Sequence, residues 1–270
     1  MLAKRPSVGP TESLSSKYRA GKASSRVRRS LRDSSLVSRR HRKPDNSSEG
    51  SPRRSPMVTL SVGPARRLFA AHEEILCVSP FFATSCRGQF LEAHGRRIHL
   101  PDEQPEILSC VLEYLYKGDY SPRLLHNERL DTWELEGVTV TADGQTSDAT
   151  FFHQGVGLTI LKDTAVYCAA EKYGLDQLKR LALRKQGLHS GIQCSTILTS
   201  ARYAYANTPD TDSKLRAHYL ALIIRCRHTF KRSGTMQMEM EEGGKLFFDL
   251  FVAMCNHMDD LTSSKAHLPC

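Results

Sequence analysis

No window of this 270-residue chain approaches the ~18 uninterrupted apolar residues that a membrane-spanning helix requires, so no spanning segment is expected. A secretory signal with a long apolar stretch is also missing ahead of the cysteines. The eight thiols, at positions 77, 86, 110, 168, 194, 226, 255 and 270, lie mostly inside apolar runs and are expected to be buried and reduced, in the nucleus or cytoplasm. C-x-x-C pairs are absent. Cys226 and His228, like Cys255 and His257, stand two residues apart in helical pattern, where side chains do not share a face, so no metal is expected. The phosphate-cradling G-x-x-x-x-G-K-[ST], the dinucleotide G-x-G-x-x-G, the nucleophile elbow G-x-S-x-G and the zinc-protease H-E-x-x-H are all lacking. The expectation is a protein that is not an enzyme, with no cofactor and no small-molecule substrate.

What charge there is lies unevenly. Residues 1–56 hold 15 basic and four acidic residues, a net +11, whereas residues 57–270 carry a net −2. The basic stretch is rich in Ser, Arg, Lys and Pro, and Tyr18 is its single aromatic residue. It cannot bury enough apolar surface to offset the entropy of ordering and is expected to be a disordered basic tail. Within it, Arg39-Arg40-His41-Arg42-Lys43 fits either a nuclear-import signal or an ordinary solvated charge run. Any nucleic-acid contact would have to be made through this tail.

From residue 57 the pattern is that of a folded α+β chain. Val58 to Gly63 alternates apolar with polar, Gly63-Pro64 signals a turn, and Arg67 to Ala70 returns as the partner strand. Glu73 to Val78 is a short helix with acids at its start, and Ser79-Pro80 separates it from a second at Phe81 to Thr84. Arg97 to Leu100 is a third short strand. Ile107, Leu108, Val111, Leu112 and Leu115 line one face of a helix that opens with Asp102-Glu103 and ends at Gly118.

Residues 121–157 have weak periodicity and six acidic against two basic residues, and they read as a long insert that is functional or disordered, with a hairpin turn at Asp143-Gly144. A helical hairpin follows, from Leu161 to Tyr173 and from Leu175 to Gly187. Three amphipathic helices then make an all-helical region over 188–270, around Ile197 to Tyr205, Leu215 to Cys226 and Phe247 to Met258. Glu239, Glu241 and Glu242 fall in a Gly-rich connection and are expected in a solvated loop.

This order of elements over about residues 57–187, and the residues that fill it, resemble a BTB/POZ domain. Phe69-Ala70-Ala71-His72, then Leu76, Ser79 and Phe81-Phe82, are similar to the family's strand-His-helix motif. Ile98 and Leu100, then Leu112-Glu113-Tyr114-Leu115-Tyr116-Lys117-Gly118, resemble its third strand and the end of its following helix. Ala169-Ala170-Glu171-Lys172-Tyr173-Gly174-Leu175 resembles its next helical segment. The insert and the helical C-terminus look most like BTB proteins of filamentous fungi.

The resemblance implies a BTB/POZ fold, a short sheet with a cluster of helices, and the work of a protein-interaction adaptor that self-associates or binds a cullin. Phe69, His72, Leu76, Ser79, Phe81, Phe82, Tyr116, Gly118 and Tyr173 are then structural, with Leu76, Phe81, Phe82, Tyr116 and Tyr173 in the core and His72 packed and hydrogen-bonded. Family members that bind corepressors have an acid before the first strand and a base after the His; Met57 and Glu73 stand there instead. Phe90, Leu91 and Glu92 match the hydrophobic-x-Glu loop motif of cullin-binding members. Phe90 is thereby either an anchor for an apolar pocket on the cullin or a satellite core residue. The other reading the sequence leaves open is a nuclear, chromatin-associated factor that dimerises through the BTB domain and binds nucleic acid through its tail.

Overall fold

The computed structural model describes residues 56–87, 95–136 and 149–266. Strands β1 (Met57–Val62) and β2 (Arg67–His72) form an antiparallel hairpin that pairs Met57 with His72 and Val62 with Arg67. The alternation read from the sequence is carried through: Val58, Leu60 and Val62 point into the core with no exposure. Strand β3 (Arg97–Leu100) lies parallel to β1 on its other side, giving the order β2-β1-β3. A parallel neighbour needs a crossover connection, and the short helices α1 (Glu73–Leu76) and α2 (Pro80–Cys86) occupy it. Ser79 caps α2, its Oγ accepting from the Phe82 N–H, and Pro80 takes the first helical position, where no N–H is needed.

Helix α3 (Pro105–Lys117) buries Ile107, Leu108, Val111 and Leu112 and ends at Gly118, whose φ of 77° only glycine adopts without strain. Its start differs from the sequence reading. Pro105 opens the helix, and Glu103 lies in the turn before it, buried under α4 (Lys162–Tyr173).

The insert is more regular than its composition suggested. It contains two antiparallel hairpins, β4 (Leu124–Asn127) with β5 (Thr132–Leu135), and β6 (Thr150–His153) with β7 (Leu158–Leu161). The strands are four residues each and expose Leu125, Trp133, Phe152 and Leu158, so no period-2 signal develops. The turn expected at Asp143-Gly144 lies outside the described residues. Leu161 ends β7 rather than opening a helix; its N–H donates to Ser200 Oγ at 2.9 Å, and α4 starts one residue later.

Helix α4 is the centre of the molecule. Ala165, Val166, Ala169 and Ala170 let neighbours approach it closely, and it is buried on nearly every side. It turns at Gly174, φ 68°, into α5 (Asp176–Gln186). A Cβ at Gly174 would also come within 3.2 Å of the Pro80 ring, so α2 and the helical hairpin approach each other through this glycine.

Beyond it follow α6 (Cys194–Asn207), α7 (Lys214–Arg225), the single turn α8 (Arg227–Phe230), α9 (Gly234–Glu242) and α10 (Lys245–Ala266). Helix α9 corrects the expectation of a solvated acidic loop. Ser233 caps it, and Arg202 on α6 pairs with the Glu239 carboxylate and donates to its carbonyl at 2.7 Å. Among the described residues no helix is long and apolar enough to cross a membrane.

Buried polar groups cross-brace these layers. Tyr173 is fully buried, and its hydroxyl donates to Glu103 Oε2 at 2.5 Å while Lys172 reaches the same oxygen at 3.2 Å. Burial, and then the Glu103 charge, push the Tyr173 hydroxyl far above its ordinary range, so it remains a donor at neutral pH. Tyr173→Phe should therefore cost about 1–3 kcal/mol, the penalty for a buried acceptor left short of a donor, read as a lower urea midpoint with an unchanged slope.

A pH effect follows from two other side chains. Burial, then the Arg225 charge, hold His218 below its ordinary 6.5, and burial does the same to His153. The unfolded chain protonates these rings first, so their contribution is present above about pH 6.5 and is lost as pH falls through the lower folded values. Replacing both by Gln should flatten the loss of stability between about pH 7 and pH 5, measured by denaturant unfolding.

Candidate functional site

The residues singled out in the sequence fall into three places. The first is an aromatic cluster. Ser79 Oγ donates to the Tyr173 carbonyl at 2.6 Å, the Phe82 ring stacks on Tyr173 at 4.9 Å, and Phe81 meets Tyr173 edge-on at 5.2 Å. Phe82 and Leu76 are buried, whereas Phe81 and Phe69 are half-buried against the core. These residues shape the scaffold and leave no reactive group facing a cleft.

The second place is the end of β2. His72 is exposed, and the Tyr116 hydroxyl accepts from its N–H at 2.9 Å and lies 2.7 Å from its Nδ1. Tyr116 was expected in the core, but it is 47% exposed. It sits in the last turn of α3 on the side away from Ile107, Leu108 and Val111, and its role is to tie the helix end to β2. Met57 pairs with His72 across the hairpin and is exposed, an apolar side chain at the start of β1.

The third group lies in the stretch of chain between α2 and β3. Phe90, Leu91 and Glu92 lie outside the described residues, as do Arg39, Arg40, His41, Arg42 and Lys43. The two ends of the 88–94 segment are nevertheless fixed. Arg87 closes α2, its N–H donating to the Ala83 carbonyl at 3.1 Å. Arg96 opens the approach to β3: its guanidinium pairs with Glu73 and its carbonyl accepts from Thr59 N–H at 2.9 Å. Glu73 thus ties the residue before β3 to α1. Exposed Cys77 is in contact with buried Cys86, and burial, followed by the Cys77 thiol, pushes Cys86 up to about 12, so it stays protonated and unreactive at neutral pH.

Several residues that organise these places were not singled out from the sequence. Glu103 looked like a helix-start acid, and Arg96 is one of two adjacent arginines with nothing local to distinguish it. Lys185 did carry a signal: it continues the buried stripe of Leu178 and Ala182 along α5, an unusual position for a cation. It has no exposure and donates to the Pro122 carbonyl at 2.7 Å, to the Tyr120 carbonyl and to Asp119. Among the described residues no group of three or more His, Cys, Asp or Glu is placed to hold a metal ion.

Since Tyr116 is half-exposed and Tyr173 is not, the same substitution should separate them. Tyr116→Phe should cost about 0.5–1.5 kcal/mol, because water can replace the lost partner of the His72 N–H, and the melting temperature should fall less than for Tyr173→Phe.

No curated protein gives a significant match to this chain. Residues 56–133 match the family model of the BTB/POZ domain, and the match covers β1 to the first residues of β5. The hairpin, the two short crossover helices, the parallel third strand and α3 lie within it, whereas Tyr173 and the helical pair α4–α5 that complete its core lie beyond it. This part of the chain has the fold of a BTB/POZ domain, a protein-interaction module, followed by a helical C-terminal region.

Proposed function

We propose that the protein is an interaction adaptor, working in the nucleus or cytoplasm, whose BTB/POZ domain binds the N-terminal domain of a cullin through Phe90 and Glu92. The observation that carries this reading is the BTB/POZ match at residues 56–133, because the module acts through protein contacts. Three features support the choice of loop. The hydrophobic-x-Glu pattern stands between α2 and β3, both ends of its segment are pinned to the framework through Arg87 and the Arg96–Glu73 pair, and Glu73 leaves the family's corepressor pocket without its base. In this reading Phe90 fills an apolar pocket, Glu92 accepts hydrogen bonds at its rim, and the C-terminal helices or the hairpin insert carry the protein to be ubiquitinated.

A second reading rests on the net +11 of residues 1–56: a chromatin-associated factor in which the tail contacts nucleic-acid phosphates. Its mark would be DNA binding that weakens steeply with salt and shows little sequence preference.

The test is co-precipitation with cullins of filamentous fungi, whose BTB proteins the insert and C-terminus resemble, alongside thermal melting. Phe90→Ala should weaken binding by about 10- to 150-fold, the equivalent of burying one aromatic ring, with an unchanged melt, and Glu92→Ala should weaken it less. A melt that drops clearly with Phe90→Ala would instead make Phe90 a core residue. Wild-type protein that captures no cullin would remove the ligase reading.

A further inference from the structure

Helix α10 changes character along its length. Its first turns are bound to the body: Leu246, Phe247 and Leu250 are buried against α6 and α7, Tyr205 donates to Asp249 at 3.0 Å, and the Lys245 ammonium reaches Asp210. The helix continues after Leu250, and none of the described side chains from there to Thr262 is buried. Yet its apolar residues do not stop. Phe247, Phe251, Met254, Met258 and Leu261 are spaced four, three, four and three apart, the alternation of a coiled-coil seam. The last four are 66%, 42%, 54% and 47% exposed. With the neighbouring Phe248 and Val252, they leave on the order of several hundred Å² of apolar surface open, the size at which a patch marks an interface.

We propose that this seam docks the same helix of a second copy of the chain, antiparallel, about a two-fold axis near Asn256. Three observations select that occupant. The seam is self-complementary in this direction. Phe251 falls opposite Leu261 and Met254 opposite Met258, so each layer joins the two kinds of seam position, as antiparallel packing requires. The flanking positions Leu250, Cys255, His257 and Thr262 hold no acid and no permanent cation, so two copies meet without like-charge repulsion. The antiparallel arrangement also puts the two bodies at opposite ends of the pair. By contrast, residues 1–56 of the chain itself, with one aromatic residue and net charge +11, are a poor complement to an apolar stripe.

A free seam of about 15 Å, at 1.5 Å per residue, would be marginal as an isolated peptide. Here Lys245 to Leu250 are already fixed in helical form on the body, so the unfavourable nucleation step is not incurred on association. The surface is separate from the cullin-type loop, and its occupancy does not depend on that reading.

The test is sedimentation equilibrium on the full chain, with circular dichroism and melting as controls. The expected result is reversible self-association that Met254→Lys or Met258→Glu alone weakens at least about 10-fold, since each places a charge in both layers of the pair. Mixing the two variants should restore it, because in the antiparallel pair Lys at 254 faces Glu at 258 in one layer and the other layer stays Met on Met. A parallel pair gives no such rescue. Wild-type protein that stays monomeric, association indifferent to both substitutions, or a mixture that fails to recover would each overturn the proposal. A BTB–BTB contact, if present, would be indifferent to both changes and to mixing, and so cannot imitate the rescue.

Discussion

The Tyr173 ring has to be buried and its hydroxyl has to be satisfied, and much of the architecture follows from meeting both demands at once. The ring fills the space between Phe81 and Phe82 on α2, with Ser79 holding the backbone carbonyl of the same residue. The hydroxyl finds Glu103, 70 residues earlier in the chain, in the turn before α3. A single residue thus fixes α4 against α2 and against the turn that leads into α3. It also explains why a buried carboxylate is tolerable there: Glu103 has a hydrogen bond from Tyr173 and a cation in Lys172.

The same logic recurs where the insert leaves and rejoins the core. Lys185, fully buried, brings the end of α5 to the carbonyls of Tyr120 and Pro122 and to Asp119, just before β4 begins. Burial draws its ammonium down while Asp119 pushes it back up. Asp163, at the start of α4, accepts from the Tyr120 hydroxyl at 2.5 Å and faces His189 Nε2 at 2.6 Å. Thr164 beside it links Gln186 on α5 with Tyr219 on α7. These contacts join the BTB/POZ part, the insert and the helical region through one central helix, so the helical region shares the core of the domain and is not strung on a linker.

For an adaptor this arrangement has a consequence. Binding residues on loops and helix ends are useful only if what carries them is rigid. Helix α10 is held through Leu246, Phe247 and Leu250, so its exposed turns project from a fixed base.

The sequence by itself determined the local elements wherever one periodicity dominated. Val58, Leu60 and Val62 wrote the first strand, Ser79-Pro80 divided the two short helices, Ile107 to Leu115 wrote α3, and Gly118 and Gly174 ended their helices, because each is a short-range steric or burial effect. The resemblance to a BTB/POZ domain rested on these. It was less able to see the four-residue strands β4 to β7, which are too short for a burial period to show, or α9, whose Gly-rich edges masked a helix held by Arg202. Only the tertiary structure decided which polar side chains are buried and with whom. Glu103 with Tyr173, Lys185 with Tyr120 and Pro122, and Tyr116 turned outward to His72 all join residues more than 40 positions apart. Lys185 left a trace in the stripe it shares with Leu178 and Ala182, but which groups pair leaves none, because a buried charge is stable only beside a partner that folding alone brings to it.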